Sequence, residues 1–347
     1  MLKSAIVGVG FMGWIHYLAY QRSQSAELAA FCSRNSDKRA GDWTSIKGNF
    51  GPPGEQISVE NLDVYETLDG ILDDPKIDLV DICLPPNLHV DAACRALAAG
   101  KHVLCEKPLG LNTADCDTIL EAAQKAGKQV LVAQVLPYMG EYQFAYRAAG
   151  AGTYGQPKRA HLKRVISPPD WIPNFYDSSE VGGPLIDLHV HDTHFVRLLF
   201  GMPSRVMCTA EMQDGLVKYC YSLMEFEDSG VMVSTSSGVN NQTARPFCHG
   251  FEIQFEKAAM QFELAALNSN VEILPLLLLG QDGVSSKPEL KSGDEISAFA
   301  AGIDDAVRSI ETGSVEARLG GAVARDAIHI CQCLQQSAEK GQWVDCK

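Results

Sequence analysis

The chain has 347 residues, 46% hydrophobic and 21% charged, a balance that excludes disorder, collagen and coiled coil and leaves room for two packed domains. Its 29 Lys and Arg against 43 Asp and Glu give a net charge of −14, which repels phosphate backbones and anionic lipid heads, so neither nucleic acid nor a membrane is an expected partner. The 11 Cys, an odd number scattered through apolar runs, read as reduced, buried thiols and point to the cytoplasm.

Short β-branched runs alternate with helical stretches through residue 136. Strands are expected at Ser4–Val7, Leu28–Cys32, Leu79–Leu84, His102–Cys105 and Gln129–Gln134, with helices at Gly13–Ser23, Leu88–Ala99 and Thr113–Lys125, the last closed by Gly127. Strict alternation implies right-handed crossovers and a parallel sheet covered on both faces. Residues 41–58, rich in Gly and Pro, read as a surface insertion. From residue 137 to 347 a second domain is expected. Six extended runs between Arg159 and Leu264 make a large, mostly antiparallel open sheet, joined by helices at Leu185–Phe200, Ala298–Glu311 and Gly321–Glu339. Too few helices remain to cover both faces of that sheet, so a homodimer or homotetramer is expected.

The first strand runs into Gly8-Val9-Gly10-Phe11-Met12-Gly13, a G-x-G-x-x-G opening a helix. The first Gly permits a tight turn, the second lets backbone approach a pyrophosphate, and the third lets helix and strand pack closely, so Gly8, Gly10, Phe11, Met12 and Gly13 are candidate dinucleotide contacts. Twenty residues beyond Gly13, where NAD-binding chains often place a carboxylate for the ribose, stand Ser33 and Arg34. A guanidinium there can pair with a 2′-phosphate, which favours NADP over NAD; Asp37 is the rival ribose ligand. Leu84-Pro85-Pro86-Asn87-Leu88-His89 and Glu106-Lys107-Pro108 each follow a strand of the parallel sheet. Pro85, Asn87, His89, Glu106 and Lys107 are therefore further cofactor contacts at its carboxyl edge.

Together with Gly8-x-Gly10-x-x-Gly13-x-x-His16, the Glu106-Lys107-Pro108 triplet resembles the Gfo/Idh/MocA family, which contains glucose–fructose oxidoreductase and inositol dehydrogenase. The resemblance implies an N-terminal Rossmann domain and a C-terminal α+β domain. It extends to Gly182-Gly183-Pro184-Leu185-Ile186-Asp187-Leu188-His189-Val190-His191-Asp192-Thr193-His194, where Asp187 and His191 fill the family's Asp and His, and to the closing Gly341-Gln342-Trp343-Val344. Helical spacing i, i+4, i+7 would place Asp187, His191 and His194 on one face. By this resemblance Lys107, Asp187 and His191 form the catalytic group.

Hydride cannot leave a carbinol carbon until its hydroxyl proton is removed, and a His near neutrality suits that task while a Lys stabilises the developing alkoxide. A regular helix points His189 about 200° from Asp187, so no metal site is expected there. Arg164, Trp171 and His194 are candidate substrate contacts, with Tyr138 and Tyr176 as further wall residues. Pro184 and His189 depart from the family's Gly positions, and Leu136-Pro137-Tyr138 stands where members carry Arg. The expected activity is an NAD(P)-dependent oxidation of a sugar, polyol or cyclitol secondary alcohol, or its reverse. An NAD-dependent glycosidase and a non-catalytic dinucleotide-binding regulator are the alternatives.

Overall fold

The structure is a computed structural model describing residues 1–169, 175–227, 230–290 and 293–346. In chain order the elements are β1 Leu2–Val7, α1 Phe11–Tyr20, β2 Ala26–Cys32, α2 Ser36–Arg39, β3 Asp63–Tyr65, α3 Leu68–Leu72, β4 Leu79–Ile82, α4 His89–Ala98, β5 His102–Glu106, α5 Thr113–Ala126 and β6 Val130–Ala133. There follow α6 Gly140–Gly150, β7 Pro157–Ile166, a π-helical turn Leu185–His189, α7 Val190–Phe200, β8 Arg205–Gln213, β9 Leu216–Glu225, β10 Met232–Val239, β11 Phe247–Phe255, β12 Ala258–Ala266, β13 Val271–Gly280, β14 Ser285–Ser286, α8 Glu295–Thr312, α9 Gly321–Lys340 and β15 Val344–Asp345.

Two compact units emerge, Met1–Met139 with Ser292–Arg325, and Gly140–Lys291 with Asp326–Lys347. This corrects the expectation that everything from 137 to 347 is one domain. The amphipathic helix α8 packs on α1, and Gln129 donates to the Ser309 carbonyl at 2.8 Å, so α8 completes the core of the first unit.

The first unit is a six-stranded parallel sheet in the order β3-β2-β1-β4-β5-β6, the doubly wound arrangement whose strand order reverses between β1 and β4. Strands β1, β4, β5 and β6 are largely buried on both faces, as the apolar residues that dominate them require. Gly127 ends α5 in the left-handed region at φ 63°, as its position suggests.

Residues 41–58 are not a loose insertion. Trp43 is fully buried against Phe31, Trp14 and Tyr17, with ring centroids 5.3, 6.0 and 5.1 Å away. Trp14 Nε1 donates to the Pro52 carbonyl at 2.9 Å, and Phe50 lies edge-on to Phe11 at 4.9 Å.

The second unit carries a nine-stranded sheet in the order β14-β13-β12-β11-β7-β10-β9-β8-β15, antiparallel except for the β7–β10 pair. Tyr142 of α6 is fully buried at its centre, edge-on to Phe195, Phe251 and Phe262. All 11 cysteines are free thiols, and no described helix is long and apolar enough to cross a membrane.

Candidate functional site

The Gly-rich turn leaves β1 and enters α1, and each Gly has its own physical reason. Gly8 lies at φ 99°, where a Cβ would come within 2.8 Å of the Cys83 carbonyl. A Cβ at Gly13 would lie 2.2 Å from the Gly8 carbonyl, so this position sets the closeness of helix to strand. At Gly10 a Cβ would meet nothing within 4 Å. Gly10 is the N-cap of α1, no side chain caps it, and the first turn holds no acidic residue. The helix N-terminus thus offers backbone N–H groups and the positive end of its dipole beside open space, a cradle that fits a dinucleotide pyrophosphate. Phe11 and Met12 are half-buried; the Phe11 ring is taken up by Phe50 and by Gly48, whose Cα hydrogens face it.

At the end of β2 Arg34 is exposed. Arg39 donates to the carbonyls of Ser33 and Arg34 at 2.8 and 2.9 Å and so fixes their backbone. Asn35 caps α2, leaving Asp37 exposed in its first turn. Lys38 donates to the Val9 carbonyl, tying this loop to the Gly-rich turn.

Because the sheet is parallel, the segments after β4 and β5 emerge at the same edge as the Gly-rich turn. Pro85 and Asn87 are exposed there, and Lys107 is partly exposed. His89 and Glu106 correct the sequence reading, since the protein itself uses both. His89 is fully buried with its ring nitrogens 2.8 Å from the Pro108 and Leu84 carbonyls, and burial lowers its pKa. It fastens the two loops to each other.

Glu106 is 4% exposed; one carboxylate oxygen is 2.8 Å from His16 Nε2 and the other accepts the Lys107 N–H at 3.1 Å. His16 Nδ1 lies 2.8 Å from Asp81. Burial alone would lower the pKa of His16, but Asp81 and Cys83 beside it together raise it well above the usual range, which favours the imidazolium. His16, Asp81 and Cys83 bring three ligand atoms within 4.8 Å of one another. Both imidazole nitrogens already face carboxylates, and burial pushes the Cys83 thiol up to about 12, so the cluster is a hydrogen-bonded one rather than a metal centre.

In the second unit, Gly182 and Gly183 turn at φ 85° and 76° into the π-helical segment, and α7 follows from Val190. Asp187 and His191 are partly exposed amid buried neighbours. The wide turn breaks the regular spacing between Asp187 and the two histidines of α7, His191 and His194. His194 differs from the other two in being fully buried; neither ring nitrogen has a hydrogen-bond partner among the described residues, and burial lowers its pKa to about 3. His189 is buried as well, 3.2 Å from the Thr235 hydroxyl and 3.7 Å from Asp192.

Arg164, expected at the substrate, is 4% exposed and bound through two nitrogens to Asp192. Tyr138 is core, with the Arg318 guanidinium 4.1 Å over its ring, and Tyr176 is half-buried beside Phe175. Trp171 lies outside the described residues.

Residues 2–134 match the oxidoreductase family described as an NAD-binding Rossmann fold, and residues 142–261 match the Gfo/Idh/MocA C-terminal domain. The chain belongs to the Gfo/Idh/MocA oxidoreductase family. Its relatives include a myo-inositol 2-dehydrogenase of Thermotoga maritima, 29% identical over 58% of this chain and 55% of that protein. An uncharacterised oxidoreductase of Rhizobium meliloti is 33% identical over 43% and 45%. The chain thus spans about half the length of these curated relatives. The fold is shared throughout with an aldose–aldose oxidoreductase from Caulobacter crescentus solved with glycerol, at a TM-score of 0.80 and 22% identity over 99% of both chains. A levoglucosan dehydrogenase solved with NADH and L-sorbose gives 0.79 and 19% over 100% and 99%.

Proposed function

We propose that this protein is an NAD(P)-dependent oxidoreductase that moves a hydride between a nicotinamide cofactor and a secondary alcohol or ketone of a sugar, polyol or cyclitol. The observation that carries the reading is the uncapped helix start at Gly10 sharing one sheet edge with Lys107. A bound nicotinamide supplies the hydride acceptor or donor; the chain must supply the proton chemistry. Lys107, Asp187 and His191 are the groups we assign to it. The imidazole of His191 takes the hydroxyl proton, Lys107 stabilises the alkoxide oxygen, and Asp187 orients the imidazole or a neighbouring hydroxyl. The myo-inositol dehydrogenase among its relatives and the levoglucosan dehydrogenase that shares its fold support a carbohydrate or cyclitol as substrate class.

Ser33 and Arg34 at the end of β2, with no carboxylate at Ser33, favour NADP; the levoglucosan dehydrogenase solved with NADH keeps NAD as the second choice.

The test is a screen of sugars and inositols in both directions, read at the nicotinamide absorbance, with Lys107→Ala and His191→Ala as controls. Turnover by the wild type that falls by roughly 10²–10⁴-fold in each variant, at little-changed cofactor affinity, is the expected result. Tight cofactor binding without turnover of any compound would favour the regulator. Hydrolysis of a glycoside without net cofactor turnover would favour the glycosidase.

A further inference from the structure

We propose that His16 is a positioning residue for Lys107, an inference that rests on the reading of Lys107 as a proton-handling group. His16 lies in the second turn of α1, the helix whose first turn faces the pyrophosphate cradle. Its imidazolium reaches the ends of two adjacent strands at once, Asp81 on β4 and Glu106 on β5. Glu106 then spends its second oxygen on the backbone N–H of Lys107. The result is one continuous chain, Asp81 to His16 to Glu106 to the Lys107 peptide, with links of 2.8, 2.8 and 3.1 Å.

All three side chains are buried, so each link forms in a medium where a misplaced charge is costly and geometry is held tightly. Beside the ring lie the Cys83 thiol, which donates to Asp81 at 3.7 Å, and from α8 the apolar Phe299, whose ring centroid is 5.4 Å away; the buried amide of Gln134 lines the same cavity as His16. The same helix therefore sets the cofactor cradle and the backbone from which Lys107 extends, so the two are placed by one rigid element.

A pair of substitutions separates positioning from bulk stability. The amide of Gln reaches the place of the ring Nε2 and keeps the Glu106 link; that of Asn reaches only the place of Nδ1 and keeps the Asp81 link. His16→Gln is expected to stay within about threefold of wild-type kcat. His16→Asn is expected to lose ten- to a hundredfold in kcat, on the scale that follows misplacement of a catalytic group, with KM and the dissociation constant of NADH moving less than about threefold. In a Lys107→Ala background His16→Asn is expected to cost nothing further, because the group it positions is gone.

Amide exchange at Lys107 should quicken in His16→Asn and not in His16→Gln. Equal losses in both variants, losses that add to Lys107→Ala, or unchanged exchange at Lys107 would each overturn the proposal. Native turnover in Lys107→Ala alone would instead remove the catalytic reading, and the inference with it. If His16→Asn does not fold, Glu106→Gln weakens the same link from the other side, and a wild-type kcat in that variant overturns the proposal equally.

Discussion

Arg164 and Asp192 face each other in the interior of the second unit as a two-pronged pair, Nε to one carboxylate oxygen at 2.8 Å and a terminal nitrogen to the other at 3.1 Å. At 4% and 1% exposure neither charge has water to turn to. Burial alone would raise the pKa of Asp192, but Arg164 and His189 hold it below the usual carboxylate range. Removing one partner strands the other, so Arg164→Met or Asp192→Leu alone should cost about 3–5 kcal/mol. The double variant should recover most of that loss. Urea unfolding of the three variants measures it; additive losses would show that the two charges are not coupled.

The glycines of the first turn should separate fold from binding. Gly13→Ala drives a Cβ into the Gly8 carbonyl and should lower the melting temperature markedly. Gly10→Ala puts its Cβ into open space and should lower melting far less, yet weaken binding of reduced cofactor by narrowing the cradle. Thermal unfolding beside a fluorescence titration with NADH checks both.

For cofactor choice, charge-assisted bonds from Arg34 to a 2′-phosphate are worth about 1.5–3 kcal/mol where water is excluded. Arg34 is exposed, so a preference for NADPH over NADH of roughly tenfold is expected, at about 1.4 kcal/mol per decade. Arg34→Ala should bring the two affinities together. Equal affinities in the wild type, or an unchanged ratio in the variant, would remove the NADP assignment.

The pH dependence of stability has a definite sign. His194 and His249 are buried and hold folded-state pKa values of about 3, below the roughly 6.5 of an unfolded histidine. The unfolded chain therefore takes up protons that the native one refuses. Stability from these groups is full above about pH 6.5 and falls as pH drops toward 3, by about 1.4 kcal/mol per pH unit for each. His194→Phe, which removes two ring nitrogens without a partner among the described residues, should shallow this acid slope by about one proton. Urea midpoints between pH 7 and pH 5 give the comparison.

On the sheet of the second unit, Tyr221, Leu223 and Met232 are more than half exposed on the neighbouring strands β9 and β10. We propose that a second copy covers this face. Light scattering at micromolar concentration should give a dimer or tetramer, and Leu223→Asp should shift it toward monomer. A wild-type monomer at every concentration would sink the idea.

What the sequence made legible follows from where the physics is local. Strands β1, β4 and β5 stood out because short, mostly apolar runs end in Gly or Pro turns, and the Gly8-x-Gly10-x-x-Gly13 spacing carries its own steric logic. The three-residue β3 and helix α6, which opens and closes on glycine, gave no such pattern. Strand β13 was obscured by Pro275, which falls where the pairing with β12 shifts register between Leu274 and Leu277, a place where the missing N–H costs little.

Lys107, Asp187 and His191, the groups we propose for the proton chemistry, come from motifs in the sequence. The roles of His16, Glu106, His89 and Arg164 were not legible there, because each depends on a partner far away in the chain. One signal was available for the buried chain: Asp81, a charge inside the otherwise apolar run Leu79-Val80-Asp81-Ile82, required a cationic partner.

The return of α8 to the first unit also bears on synthesis. The ribosome completes residues 1–139 long before it reaches Glu295, and at roughly 5–20 residues per second the interval is on the order of ten seconds or more. Throughout it the surface of α1 that α8 will cover, and the outer side of Phe50, stay open to water and to other nascent chains. The nucleotide-binding half therefore cannot mature as the chain emerges. It waits for a helix encoded far downstream of residue 139, and a stop codon placed between the two would release an unsealed, aggregation-prone fragment rather than a working module.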